Sequence, residues 1–151
     1  MNADELRIQR TFDAPREDVF DAWTSPEVMR RWLAAGHDWS TPHAKVDLRP
    51  GGTITVTMAE AGGEPAHTFR GEYLEVSPPE RIVFTVEWQG DDADGVVSTV
   101  IVEFLEDAEG TTVVLTQRGL ATDESRDDHE DGWTKCLANL EARVLAPGAT
   151  T

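Results

Sequence analysis

Cysteine is almost missing from this chain, lysine is scarce, and no apolar run is long. A single cysteine, Cys136, occurs among 151 residues, which excludes an internal disulfide. Set in a helical apolar pattern, it reads as a small buried hydrophobe. A reducing, cytoplasmic setting is the simplest expectation. The longest apolar stretches fall far short of the ~20 residues a membrane-spanning helix needs. No charged segment followed by an apolar run stands at the amino end, so neither export nor a membrane partner is expected. Lys45 and Lys135 are the only lysines, and the arginines do not gather into a patch. With a formal net charge of −16, the chain lacks the cationic surface that phosphate binding requires, and no nucleic-acid partner is expected. His37, His43, His67 and His129 are scattered without zinc-motif spacing,. Ser77 and Cys136 stand in no nucleophile-elbow setting,. No metal, no cofactor and no catalytic residue is therefore assigned.

What is present is strand grammar with its corners spelled out. The length suits one domain, able to bury roughly 68–70% of its unfolded surface; we place it at residues 1–146, with 147–151 as a flexible tail. Leu6, Ile8 and Arg10 alternate with Arg7, Gln9 and Thr11 as in a half-buried first strand,. Asp13-Ala14-Pro15 stops it, and Val19, Phe20 and Trp23 then recur at helical spacing,. Ser25-Pro26 is a second helix start, leading to Val28, Met29 and Trp32,. A DNA-reading helix pair would need a basic face, which Arg30-Arg31 alone does not make. The pattern weakens from Trp39 to Val46, and Gly36 to Trp39 reads as a loop at the rim of a pocket. Val46 and Leu48 share one side before Gly51-Gly52, and Ile54, Val56 and Met58 share one after it, two strands joined at a tight hairpin,.

The next strand, Ala66 to Val76, contains Gly71, a sign of a bulge or of close approach by another group,. Ile82, Phe84, Val86 and Trp88 share a face, as do Val100, Val102 and Phe104; Val113, Leu115 and Gln117 form the inward set of the last strand. The acidic run Asp91-Asp92-Ala93-Asp94 reads as a solvated loop, and the run from Asp123 to Asp131 as an acidic helix entrance,. The period then changes: Trp133, Leu137, Leu140 and Val144 make one helical stripe, with Lys135, Asn139 and Glu141 off it,. Pro147-Gly148 ends that helix.

The order strand, two short helices, about six antiparallel strands, long helix resembles the helix-grip fold of the START-like (SRPBCC) superfamily. Phe12-Asp13-Ala14-Pro15 with Trp23, Arg31-Trp32, Asp47-Leu48-Arg49-Pro50-Gly51-Gly52, Gly71-Glu72-Tyr73, Pro78-Pro79-Glu80-Arg81, Gly110-Thr111 and Gly132-Trp133 look like the family named for homologues of the activator of the heat-shock protein 90 ATPase. The resemblance runs from about Leu6 to Val144. It implies an α+β fold in which a curved antiparallel sheet of about six or seven strands wraps round the C-terminal helix and leaves an apolar cavity. One departure is visible: Gln117 stands where many members carry histidine near the end of the last strand, so no histidine at that point does acid–base work here. The heat-shock activator carries a further amino-terminal domain not present in these residues, so a co-chaperone role does not follow from the family name.

Large aromatic walls with a few polar points characterise small-molecule pockets. On that ground Trp39, Met58, His67, Phe69, Tyr73, Phe84, Trp88, Gln117, His129, Trp133 and Leu137 are the candidate lining, each with ordinary core packing as its competing reading. His129 lies one turn before Trp133 and so shares its face; Tyr73 adds a phenol, and Gln117 an amide, that can orient a ligand. For acid–base chemistry, His67 with Glu75 or Glu87 and His129 with Asp128 are the conceivable pairs. Three functions stay open. The first is a cytoplasmic binding protein, monomer or homodimer, for a small apolar molecule. The second is an enzyme of the polyketide-cyclase, hydrolase or lyase kind using the same cavity, and the third a stress-related protein-interaction module.

Overall fold

The structure is a computed structural model and describes residues 5–145, so the expected tail at 147–151 lies outside the described residues. Seven strands form one antiparallel sheet in the order β1-β7-β6-β5-β4-β3-β2. They are β1 (Leu6–Phe12), β2 (Ser40–Val46), β3 (Thr53–Ala59), β4 (Ala66–Ser77), β5 (Arg81–Trp88), β6 (Ser98–Asp107) and β7 (Gly110–Arg118). Two short helices, α1 (Arg16–Thr24) and α2 (Pro26–Trp32), carry the chain from β1 at one edge to β2 at the other, and α3 (Asp123–Arg143) follows β7. β1 closes onto the last strand, from Leu6 opposite Gln117 to Phe12 opposite Thr111.

Local chemistry sets the corners. Pro15, extended, is the N-cap of α1, and Ser25 both closes α1 and precedes Pro26 at the start of α2. The two helices are tied by the Trp32 indole, which donates to the Ala22 carbonyl at 2.9 Å. Their buried faces bring Phe20 and Trp23 edge-on to Phe104 of β6, with centroids 5.4 and 6.4 Å away. The Thr122 hydroxyl accepts from the Ser125 amide and caps α3. Asp123 and Glu124 fill its first turn, where the helix dipole favours negative charge,. The core side of α3 buries Trp133, Leu137 and Leu140, each contributing roughly 1.5–3 kcal/mol.

The sheet differs from the sequence-based expectation in two places. Residues 40–46, where the pattern is weak, form β2, an edge strand whose pairing with β3 slips between Ser40 and His43; that irregularity breaks the two-residue alternation. The corner after it is no tight hairpin. β2 ends at Val46, Leu48 is exposed, and residues 47–52 fold back so that the Gly51 amide donates to the Tyr73 carbonyl and the Tyr73 amide to that of Gly52. A second irregularity lies between Tyr73 and Glu75 in β4. Such bulges bend strands and add twist, which curls the sheet about α3.

Gly71 marks a close approach: a Cβ built there lies 1.7 Å from the Thr85 carbonyl oxygen of β5. Gly71→Ala should therefore separate β4 from β5 and cost at least about 2 kcal/mol. That corresponds to a fall in Tm of roughly 4–8 °C for a domain of this size. A melting curve within a degree of the wild type would show that the strands do not approach this closely.

Candidate ligand-binding site

Antiparallel pairing places alternate strand ends together, and one end of the curled sheet is left hollow. Met58 near the end of β3 pairs with His67 near the start of β4, and Phe69 with Trp88 at the end of β5. Val86 pairs with Ser98 at the start of β6, and Val100 with Gln117 at the end of β7. Met58, His67, Phe69, Val86, Trp88 and Gln117 all line a cavity of about 350 Å³. The first half of α3 covers it with Asp128, His129, Gly132, Trp133 and Cys136, and the segment after α2 adds Leu33, Ala35 and Trp39. Asp92 and Asp94, from the connection between β5 and β6, complete the lining.

Eight of the eleven candidates thus face one cavity: Trp39, Met58, His67, Phe69, Trp88, Gln117, His129 and Trp133. The other three do not line it. Tyr73 and Phe84 lie farther along β4 and β5, ring against ring at 6.0 Å, where side chains fill the sheet's concave face. Burial raises the Tyr73 phenol above its ordinary range, and its oxygen has no protein partner among the described residues. Leu137 is buried on the core side of α3. The cavity side of that helix is a different stripe, 129, 132, 133 and 136, and Trp133 belongs to both.

Polar atoms in the walls are largely committed to one another. The Trp133 indole donates to Gln117 Oε1 at 2.8 Å, while Gln117 Nε2 donates to the Ser98 hydroxyl at 2.8 Å. Gln117, fully buried, is therefore a tie between α3, β7 and β6, with both ends of its amide engaged. The Trp88 indole donates to His129 Nε2 at 3.0 Å, and His129 Nδ1 lies 2.7 Å from the Ser125 carbonyl. Nδ1 accordingly carries the proton and Nε2 is the acceptor. Burial pushes the Cys136 thiol up to about 12, against the backbone bond to Ala34 and the charge of Arg143, so it stays an unreactive thiol.

The histidine pairings differ from those conceived from sequence. His67 meets neither Glu75 nor Glu87 but bridges Glu60 and Asp92, with 2.8 Å from Nε2 to Glu60 and 2.8 Å from Nδ1 to Asp92. Glu75 lies far along β4, beyond the irregularity after Tyr73, and Glu87 pairs with Arg70 on the opposite face from His67,, whereas the hairpin after β3 and the acidic connection after β5 converge on it. Asp92, expected in a solvated loop, is thereby drawn to the cavity rim. His129 pairs with Trp88 and Ser125, not with Asp128. Among the described residues no group of three or more His, Cys, Asp or Glu is placed to hold a metal ion.

Trp39 is held by the far end of α3. Asn139, off the apolar stripe yet buried, donates to the carbonyls of Ala34 and Gly36 at 3.0 Å each. One turn later Arg143 donates to the carbonyls of His37 and Trp39. Gly36 gives the ring its seat, since a Cβ there lies 2.5 Å from Trp39 Cδ1. The Trp39 ring stacks on His67 with centroids 5.5 Å apart and planes at 17°.

A curled antiparallel sheet around one long helix, hollow at one end, defines a helix-grip domain of the α+β class. The sequence model of the family described as Activator of Hsp90 ATPase homolog 1-like protein matches residues 13–144, and the chain belongs to that family, within the START-like superfamily. Solved structures agree. A protein from Chromobacterium violaceum is 28% identical over 95% of this chain and 99% of its own, with a TM-score of 0.80. The AHSA1 protein of Silicibacter pomeroyi is 27% identical over 91% and 95%, with a TM-score of 0.81. One from Rhizobium leguminosarum is 29% identical over 92% and 95%, at 0.70. No curated protein matches the chain.

The His67 bridge has a pH signature. Burial lowers its pKa, but the bonds to Glu60 and Asp92 and their charges outweigh this, leaving it above the ordinary 6.5. A pKa raised on folding adds stability that is in full force below the unfolded value and is lost as pH rises through the folded value. His67→Gln should thus melt below the wild type at pH 6, with the gap narrowing toward pH 9. A gap that is constant or widens with pH would show that the imidazolium is not bridging the two carboxylates.

Proposed function

We infer that this is a binding protein for a small apolar or aromatic molecule, cytoplasmic and with no cofactor, which encloses its ligand between the sheet and α3. The cavity of about 350 Å³ walled by Met58, Phe69, Trp88 and Trp133 carries this reading, because it falls within the 300–1,000 Å³ typical of small-molecule sites. The helix-grip fold of the family is consistent with it. An acid–base enzyme built on histidine would need a free ring nitrogen aimed at the substrate. The two histidines on the cavity wall have both nitrogens engaged by protein partners, His67 by Glu60 and Asp92 and His129 by Trp88 and Ser125, which favours holding over turnover. A protein-interaction surface calls for a contiguous apolar patch of several hundred Å², and among the described residues the exposed large hydrophobics are Leu48, Leu74, Val97 and Leu105.

Gly132 supplies a direct test. It lines the cavity within the interior of α3, and a Cβ built on it meets the Ala35 methyl at an ordinary 3.5 Å. Leucine there improves helix propensity by roughly 0.5–0.8 kcal/mol over glycine and places its side chain in the hollow. Gly132→Leu should keep or raise Tm while weakening the neutral fluorophore N-phenyl-1-naphthylamine at least about tenfold, the loss expected when an apolar subsite is filled. Equal affinity in the folded variant would remove the cavity as the binding site.

A further inference from the structure

The cavity also has a charge preference, read from which groups line it and which do not. No lysine or arginine lines it, while Asp92, Asp94 and Asp128 do. Of its three indole N–H groups, those of Trp88 and Trp133 are already donated to His129 and Gln117. A ligand's acceptor atoms, or an anionic head, therefore find little to receive them. A donor or a positive charge finds carboxylate oxygens: Asp94 uses one oxygen on the Val96 amide, and Asp128 makes no hydrogen bond or ion pair among the described residues.

The rim already holds one flat cation in the manner a ligand would need. The His67 ring lies against the face of Trp39 with a carboxylate 2.8 Å from each nitrogen, and an aromatic face combined with anionic oxygens is the setting that stabilises a planar or quaternary cation. Even with that imidazolium charged, Glu60, Asp92, Asp94 and Asp128 outnumber it. The net charge of −16 adds a field of the same sign,.

Resting on the binding reading above, we propose that the ligand is an organic cation: an apolar or aromatic body lying among Met58, Phe69, Trp88 and Trp133, with its positive end at the mouth beside Asp94 and Asp128. The apolar part meets walls whose polar atoms are spent, and the charged part stays half-hydrated at the rim. Anionic lipids and carboxylates of the same size are disfavoured.

Three probes sharing one naphthalene body test this, bearing a trimethylammonium, its neutral isostere tert-butyl, or a sulfonate. Their affinities are measured by calorimetry and tryptophan quenching on the full chain at about pH 7.5. From a cation–π contact and exposed ion pairs together, the ammonium probe should bind about tenfold tighter than the tert-butyl probe, and the sulfonate more weakly than both. The preference should shrink in about 0.5 M salt, where the Debye length falls to a few Å. In the double variant D94N/D128N the ammonium to tert-butyl ratio should fall about threefold or more. A ratio near one in the wild type, tighter binding of the sulfonate, or a ratio unmoved by the double variant would overturn the charge selection, with tert-butyl binding keeping the cavity reading alive. Failure of all three probes to bind would overturn that reading and this one together.

Discussion

The hydrogen bond from the Trp133 indole to Gln117 joins helix to sheet at the edge of the cavity, and much of the molecule is arranged around it. A buried indole N–H without an acceptor costs about 1–3 kcal/mol. Gln117 supplies that acceptor and turns its own amide nitrogen to Ser98, so α3, β7 and β6 are fixed by one side chain. Because β1 pairs with β7 in a register that sets Leu6 opposite Gln117, the tie also lies beside the edge strand of the sheet. Trp133 is stationed where the two stripes of α3 cross, one packed against the core and one facing the hollow. The same residue that anchors the helix forms the cavity's wall.

Farther along α3 the attachment is again polar. Asn139 and Arg143 take the carbonyls of the segment between α2 and β2, which would otherwise be a free loop, and this fixes Trp39 over the mouth. A helix held on a curved sheet by hydrogen bonds at Gln117 and near Gly36, and by apolar packing at Leu137 and Leu140, need not fill every space beneath it. Gly132 keeps α3 slim where it passes Ala35. The hollow follows from anchoring points that are separated, with small residues between them.

Much of this was legible in the sequence, for identifiable reasons. Two-residue alternation in Ile54-Val56-Met58 and in Phe84-Val86-Trp88 marks the inward face of a strand, and the helical period of Trp133, Leu137 and Leu140 marks the packed face of α3. Gly71 in a strand announced the close approach of Thr85. Alternation tells which face a side chain takes, however, and not which end of a hollow it reaches. That is why Tyr73 and Phe84, inward as expected, belong to the packed end, and why Leu137 falls on the other stripe of its helix. The strand read around Val46 and Leu48 lies earlier, at Ser40–Val46, because an irregular edge strand breaks the alternation over its first residues,. Asp92 and Asp94 read as solvent-facing because nothing local shows that β4 and β5 carry His67 and the acidic connection to the same rim. Asn139 read only as lying off the apolar stripe, because its partners, Ala34 and Gly36, lie more than a hundred positions away.

The central claim is that space remains open beside a fixed Trp133. A crystal structure under xenon pressure tests it most directly, since xenon enters dry apolar cavities and little else. The account predicts xenon among Met58, Phe69 and Trp88, with the bond between Trp133 and Gln117 unmoved. A hollow packed solid by those side chains, with no xenon inside and α3 drawn closer to the sheet, would contradict it.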